Sequence, residues 1–166
     1  MWAFMTTGTM HFLKKITDSH PNIDFYFMEK AASTLVYYED TRKKGLFVSG
    51  RSFAILTEFG DLKKTGFIVM DTIPVIEDGM AVFEKRVKKH FPVIENTAGL
   101  QAARFLKQVK SNHYVILTQW KRERDYLIWQ KSNIAKQIDF INMARLPAYF
   151  AERPYTSSYV MMKEEE

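Results

Sequence analysis

The sequence predicts an α+β fold built from two consecutive units. Runs of β-branched and aromatic residues alternate with helical patterns, and the alternation restarts after a polar stretch, Asp61-Leu62-Lys63-Lys64-Thr65-Gly66. The second unit reads strand–helix–strand–strand–helix–strand, the split pattern of ferredoxin-like domains. Residues 1–62 are therefore expected to form an N-terminal α+β extension, and residues 66–162 a ferredoxin-like domain.

Each element has a local reason. Residues 2–7 read as a strand, which Gly8-Thr9 breaks. Met10, Leu13 and Ile16 then recur at helical spacing, with Thr9 placed to cap the helix. That helix stops before His20-Pro21, because proline disfavours helix in the residue ahead of it. Residues 25–28 and 34–38 read as strands. Lys43-Lys44-Gly45 is a turn, 46–48 a short third strand, and Ser52 caps a brief helix with Phe53, Ile55, Leu56 and Phe59 apolar.

In the second unit a strand runs from Phe67 to about Val75. Pro74 cannot donate to a ladder, so the strand should be an edge or bulge there. Asp78-Gly79 turns the chain into a helix with Met80, Val82, Phe83, Val87 and Phe91 on one broad face, ended by Pro92. Gly99 opens an alternating strand, Lys110-Ser111-Asn112 is a hairpin turn, and residues 113–120 are the strongest strand in the chain. A charged helix spans 122–131, a second helical stretch 133–145, and a final strand follows Pro154. The sheet would have helices on one face. Its other face, rich in aromatics, needs a cover, which a partner sheet in a homodimer would supply most simply. No internal sequence repeat links the two units.

Composition narrows the function classes. The 166 residues include no cysteine, which excludes disulfides, thiolate metal sites and cysteine nucleophiles. No apolar run is long enough to span a bilayer and no signal peptide is evident, so a soluble cytoplasmic protein is expected. Thirteen Phe, eight Tyr, three Trp and nine Met supply large adaptable apolar surfaces, suited to a core or to a pocket for a flat ligand. The net charge of +5 is spread out, and the basic run 85–90 lies on an amphipathic helix, so nucleic acid is not the expected partner. Gly-rich phosphate loops, paired-histidine metal motifs and a nucleophile elbow are absent, and His11, His20, His90 and His113 are dispersed.

Three stretches nevertheless form a pattern: 95–100 (ENTAGL), 114–120 (YVILTQW), and Trp129 followed by Gln130-Lys131-Ser132. Together they resemble the antibiotic-biosynthesis-monooxygenase (ABM) superfamily, most nearly its IsdG-type haem-degrading monooxygenases. Thr7-Gly8-Thr9 with Phe12-Leu13, and Arg153-Pro154 with Ser158-Tyr159, extend the resemblance to the longer HmoB-type members and to the related TRAP group (target of RNAIII-activating protein).

The resemblance implies a ferredoxin-like domain forming a dimeric α/β barrel. It implies haem, held between sheet and helices and cleaved with dioxygen and an external electron donor. The family pattern uses an Asn on the first strand of the domain, a Trp on the late helix and an iron-ligating His ten residues beyond. Carried over, the Trp is Trp129. The Asn position is Thr72, able to donate one hydroxyl hydrogen bond. The His position is Asp139, an oxygen ligand poorly matched to haem iron. Tyr126 and Tyr149 are other oxygen ligands to consider, and Lys136, Arg104 and Arg145 are the cations expected to meet haem propionates. The expected function is thus haem-degrading monooxygenase chemistry in an altered pocket. The alternatives are a non-catalytic TRAP-like or haem-sensing protein, and cofactor-independent oxidation of a small aromatic substrate.

Overall fold

The computed structural model describes residues 1–143 and 152–163. The first half of the chain folds as β1 (Trp2–Gly8), α1 (Met10–Asp18), β2 (Tyr26–Lys30), β3 (Ser33–Asp40) and β4 (Arg51–Phe59). The second folds as β5 (Phe67–Pro74), α2 (Met80–His90), β6 (Leu100–Gln108), β7 (His113–Trp120), α3 (Glu123–Gln130), α4 (Asn133–Gln137), α5 (Phe140–Met143) and β8 (Tyr155–Met161).

The eight strands close into an antiparallel barrel in the order β1-β3-β2-β8-β5-β7-β6-β4, with β4 returning to β1. Each half contributes four neighbouring strands in the same internal order, β4-β1-β3-β2 and β8-β5-β7-β6. The first half is therefore a topological repeat of the second, with residues 41–50 in place of a late helix, although no sequence repeat betrays it. The cover expected from a partner sheet comes instead from the chain's own first half.

Inside the barrel, Met5, Tyr37, Phe53, Met70, Val115 and Leu117 are among the side chains that fill the space. Outside, α2 packs through Phe83 and Val87 on Ile73, Phe105 and Tyr114. On the first half, α1 packs through Leu13 against Phe4, Val36 and Tyr38. Thr9 caps α1 as the sequence predicts, its hydroxyl accepting the Phe12 amide at 3.3 Å. Polar groups tie the halves together. Gln119, wholly buried on β7, accepts the Lys63 amide at 2.8 Å and donates to the carbonyls of Lys63 and Thr65, fixing the connecting segment.

Three sequence expectations are corrected, and one about Pro74 holds. Residues 46–48 are not a strand: Phe47 packs edge-on against Tyr38 at 5.3 Å, and the Leu46 amide donates to the Tyr38 hydroxyl. Residues 53–59 are strand β4, not helix. A bulge between Ile55 and Thr57 shifts the register. It leaves Phe53 and Ile55 facing the barrel interior while Leu56 and Phe59 face the helix layer. Apolar residues on both sides of the bulge imitate a helical period. Pro74, as the sequence predicts, stands where β5 is an edge on one side. It pairs with His113 on β7, while the β8 ladder has already stopped at Thr72 and Tyr155. The late helical stretch is broken at Ile138, whose φ of −105° and ψ of 70° separate α4 from α5.

Candidate functional site

Strand alternation decides which β5 residues reach the helices. Phe67, Val69 and Ile73 pack in the helix-side clusters, whereas Ile68 and Met70 pack inside the barrel. Asp71 shares the helix side. It pairs with Ile116 and Thr156 in the ladders, and the Thr156 hydroxyl donates to its Oδ1 at 2.6 Å.

Over this face lies α3. Glu123 and Asp125 in its first turn complement the helix dipole, and Asp125 accepts Arg122 at 3.3 Å. Gly99 has φ of +84°, and a Cβ there would stand 2.4 Å from the Asp125 side chain, so only glycine lets β6 run this close to α3. The inward face of α3 is aromatic. Trp129 lies 5.5 Å from Trp120 and 6.5 Å from Tyr126, and Tyr126 lies 6.1 Å from Phe67. Ser132 caps α4 by accepting the Ala135 amide and donates its own hydroxyl to the Trp129 carbonyl at 2.6 Å, so the helix joint holds the tryptophan in place.

Because no residue of α3 or α4 is fully buried, a cleft of about 290 Å³ remains beneath them. Tyr126, Trp129, Phe140, Ile138 and Ile141 form its walls, and Asp71, Asp139, Lys136, Gln130 and Thr156 its polar lining. All of these residues belong to one chain. Burial pushes the Asp71 carboxyl up, the Thr156 hydrogen bond pulls it down, and the nearby Asp139 raises it again. Burial, and then Asp71, likewise raise Tyr126. The Trp129 Nε1 is buried without a hydrogen-bond acceptor among the described residues, although buried indole N–H groups usually find one.

Of the site residues expected from sequence, the structure brings Trp129, Lys136, Asp139 and Tyr126 together in this cleft. Thr72 does not line it. Its ladder partner Val115 belongs to the barrel interior, so Thr72 faces inward, and the strand residue at the cleft is its neighbour Asp71. Arg104 does not line it either. It is buried in the barrel, with Nε against Glu39 at 2.8 Å and Nη1 donating to the carbonyls of Phe59, Gly60 and Ala103. Arg145 and Tyr149 lie outside the described residues. Sequence reasoning missed Asp71 and Thr156. The alternation of residues 67, 69, 71 and 73 could have found Asp71, whereas the family pattern pointed to its neighbour Thr72.

Histidine does not line the cleft among the described residues. His113 sits at the β6–β7 hairpin with Ser111 at 2.6 Å and Glu152 at 3.3 Å. Among the described residues, no group of three or more His, Asp or Glu is placed to hold a metal ion. A second hollow, of about 390 Å³ beside α1, mixes Lys14, Asp18, Asp24 and Lys64. Lys64 there is already engaged by Asp24 and by the Phe25 carbonyl.

No family model matches the chain. It is 27% identical over 136 residues to a protein named heme-degrading monooxygenase from Listeria monocytogenes, spanning 82% of this chain and 81% of that one. It is 24% identical over 156 residues to the signal transduction protein TRAP of Staphylococcus aureus, spanning 94% and 92%. Among solved structures, a major regulator of staphylococcal pathogenesis superposes with a TM-score of 0.87 at 19% identity, covering 98% of this chain and 100% of that one. A heme-degrading enzyme of Listeria monocytogenes gives 0.79 at 21%, covering 98% and 100%. A ferredoxin-fold protein related to antibiotic biosynthesis monooxygenases, also from Listeria monocytogenes, gives 0.81 at 23%, covering 98% and 95%. By sequence the chain is related to proteins named heme-degrading monooxygenase and TRAP, and its fold is that of the ferredoxin-fold relatives of antibiotic biosynthesis monooxygenases.

Proposed function

We propose that the chain is an oxidoreductase of the haem-degrading monooxygenase kind, with haem as its substrate, dioxygen as oxidant and an external electron donor. The observation that carries this reading is the cleft under α3. It has flat aromatic walls and a buried indole N–H with no acceptor among the described residues, a lining suited to one edge of a planar tetrapyrrole. The relative named heme-degrading monooxygenase supports the same reading. Trp129 and Phe140 would contact the ring, and Lys136 is the cation available to a propionate.

The donor set does not fit haem iron. Asp71, Asp139 and Tyr126 offer hard oxygen ligands, and the described lining holds no imidazole. This supports a second reading, a TRAP-like protein that holds a tetrapyrrole and reports on it without cleaving it. Titration with hemin, followed at the Soret band, and then addition of reductant in air separates the two. Saturable binding with bleaching is expected for the monooxygenase. Binding without bleaching leaves the second reading. Absence of binding overturns both.

A further inference from the structure

The densest basic run of the chain, Lys85-Arg86-Val87-Lys88-Lys89, lies on α2. Phe83 and Val87 are the buried residues of that helix. Lys85, Lys88 and Lys89 stand exposed, between Val82 and Val93, which are 46% and 50% exposed. A solvated helix face normally places carboxylates three or four residues from its cations. The one carboxylate of α2, Glu84, is already engaged: the Tyr114 hydroxyl donates to it at 2.9 Å and the Lys107 ammonium stands 3.6 Å away. The next carboxylates along the chain, Asp78 and Glu95, lie beyond the two valines. Lys85, Lys88 and Lys89 form no ion pair among the described residues. Lys85 instead stands four residues from Lys89 and three from Lys88, like-charge spacings that destabilise a helix. The helix dipole accounts for Lys88 and Lys89 in the last turn, but not for Lys85. This helix also borders the cleft. Phe91, directly after α2, lies 6.5 Å ring to ring from Phe140, which walls the cleft.

Resting on the function proposed above, we propose that the exposed face of α2, centred on Lys85, Lys88 and Lys89, is the docking surface for the external electron donor, and that this donor is a small acidic carrier protein. Charge complementarity selects the acidic partner. Stable interfaces are depleted in lysine and built around aromatic anchors, whereas this face offers lysines, two valines and no exposed aromatic. It suits a brief, electrostatically steered encounter, the kind that redox proteins make. A lipid surface calls for larger apolar side chains than valine. Single-stranded nucleic acid calls for stacking side chains, which this face lacks. A protein seated here lies beside the cleft, since Phe91 joins the end of α2 to Phe140.

The test uses the full chain without haem and a flavodoxin as the acidic probe. Carbodiimide joins a lysine amine directly to a carboxylate, so it should cross-link the two proteins through Lys85, Lys88 or Lys89, read by peptide mass spectrometry. Calorimetric titration should show binding that weakens at least about tenfold between about 0.05 M and about 0.5 M salt. Lys85→Glu should weaken binding by about tenfold or more. Its melting temperature should equal or exceed that of the parent, because the change turns the Lys85–Lys89 repulsion into an attraction at the same spacing. Lys15→Glu, the same charge change at an exposed position of α1 in the other half, should weaken binding by less than about twofold. Three results overturn the docking surface: no binding of flavodoxin, equal weakening by Lys85→Glu and Lys15→Glu, or cross-links that avoid all three lysines. Binding to phosphatidylglycerol vesicles that Lys85→Glu abolishes, with flavodoxin unbound, overturns it in favour of a lipid surface. Each of these results concerns the ligand-free chain and leaves the haem reading standing, which the hemin titration decides separately.

Discussion

Arg104 on β6 and Glu39 on β3 meet at 2.8 Å inside the barrel, one from each half of the chain. The Tyr37 hydroxyl donates to the same carboxylate oxygen at 2.7 Å, and the Glu39 carboxylate in turn helps push that buried phenol well above its ordinary range, after burial itself. The ladders joining the halves are uneven: β4 and β6 share a long one, while β2 and β8 share two residue pairs. A charged clamp that spans the interior therefore fixes how the halves meet.

Replacing Arg104 by Met should destabilise the protein by about 2–3 kcal/mol, because the half-buried Glu39 and the carbonyls of Phe59, Gly60 and Ala103 lose a charged donor. Urea unfolding monitored by circular dichroism reads this as a lower midpoint. The matched change at exposed Arg122, which pairs with Asp125 at 3.3 Å, should move the midpoint by less than about 1 kcal/mol equivalent. Equal effects at the two positions would dismiss the clamp. Because removing both partners avoids stranding a charge, Arg104→Met with Glu39→Gln should recover part of the loss.

Asp71 gives a pH signature. Burial raises its carboxyl in the folded state above the 3.8 of a free aspartate, so the folded protein binds that proton more readily than the unfolded chain. The sign follows: the stability it contributes is full below 3.8 and is lost as pH rises through the higher folded value. Asp71→Asn keeps an acceptor for Thr156 and removes the charge. Its melting temperature should exceed that of the parent near pH 7 and converge on it toward pH 4. A difference that is constant with pH would show that Asp71 stays ionised at no cost.

The split unit from β5 to β8 is legible because each element there carries a local signal: Pro and Gly punctuation, a helical stripe at Phe83 and Val87, and the apolar run of β7. The first half hides its kinship because a loop replaces its late helix and the bulge in β4 disguises a strand as a helix. Closure of the barrel in one chain rests on pairings between β4 and β6 and between β2 and β8, which no local pattern encodes. At the site, Trp129 was legible through the family resemblance, which places a Trp on the helix after the strand ending in Trp120. Thr72 was displaced from Asp71 by a single residue, and in a strand that is the difference between barrel interior and cleft. Arg104 looked like a ligand for propionates because sequence does not say that Glu39, sixty-five positions earlier, already holds it.

Trp129 does two jobs that substitution can separate. It packs against Trp120 and Tyr126, and it carries a buried N–H with no acceptor among the described residues. Being only partly buried, it should cost about 2–3 kcal/mol on truncation to Ala, below the ~3–5 of a fully buried tryptophan. Phe at this position should recover most of that stability without restoring the donor. Hemin affinity that follows stability across Ala and Phe would mean the indole acts only as packing.

Asp139→His puts the question of iron directly. Asp139 already lines the cleft, between α4 and α5, so an imidazole there is placed where the described residues supply only oxygen. Haem iron takes neutral imidazole far more readily than carboxylate. If iron lodges near this joint, the variant should bind hemin at least tenfold more tightly and shift the Soret band relative to the parent, and the gain should fade below about pH 6.5 as the imidazole protonates. An unaltered hemin affinity and spectrum would place iron elsewhere and remove Asp139 from the site.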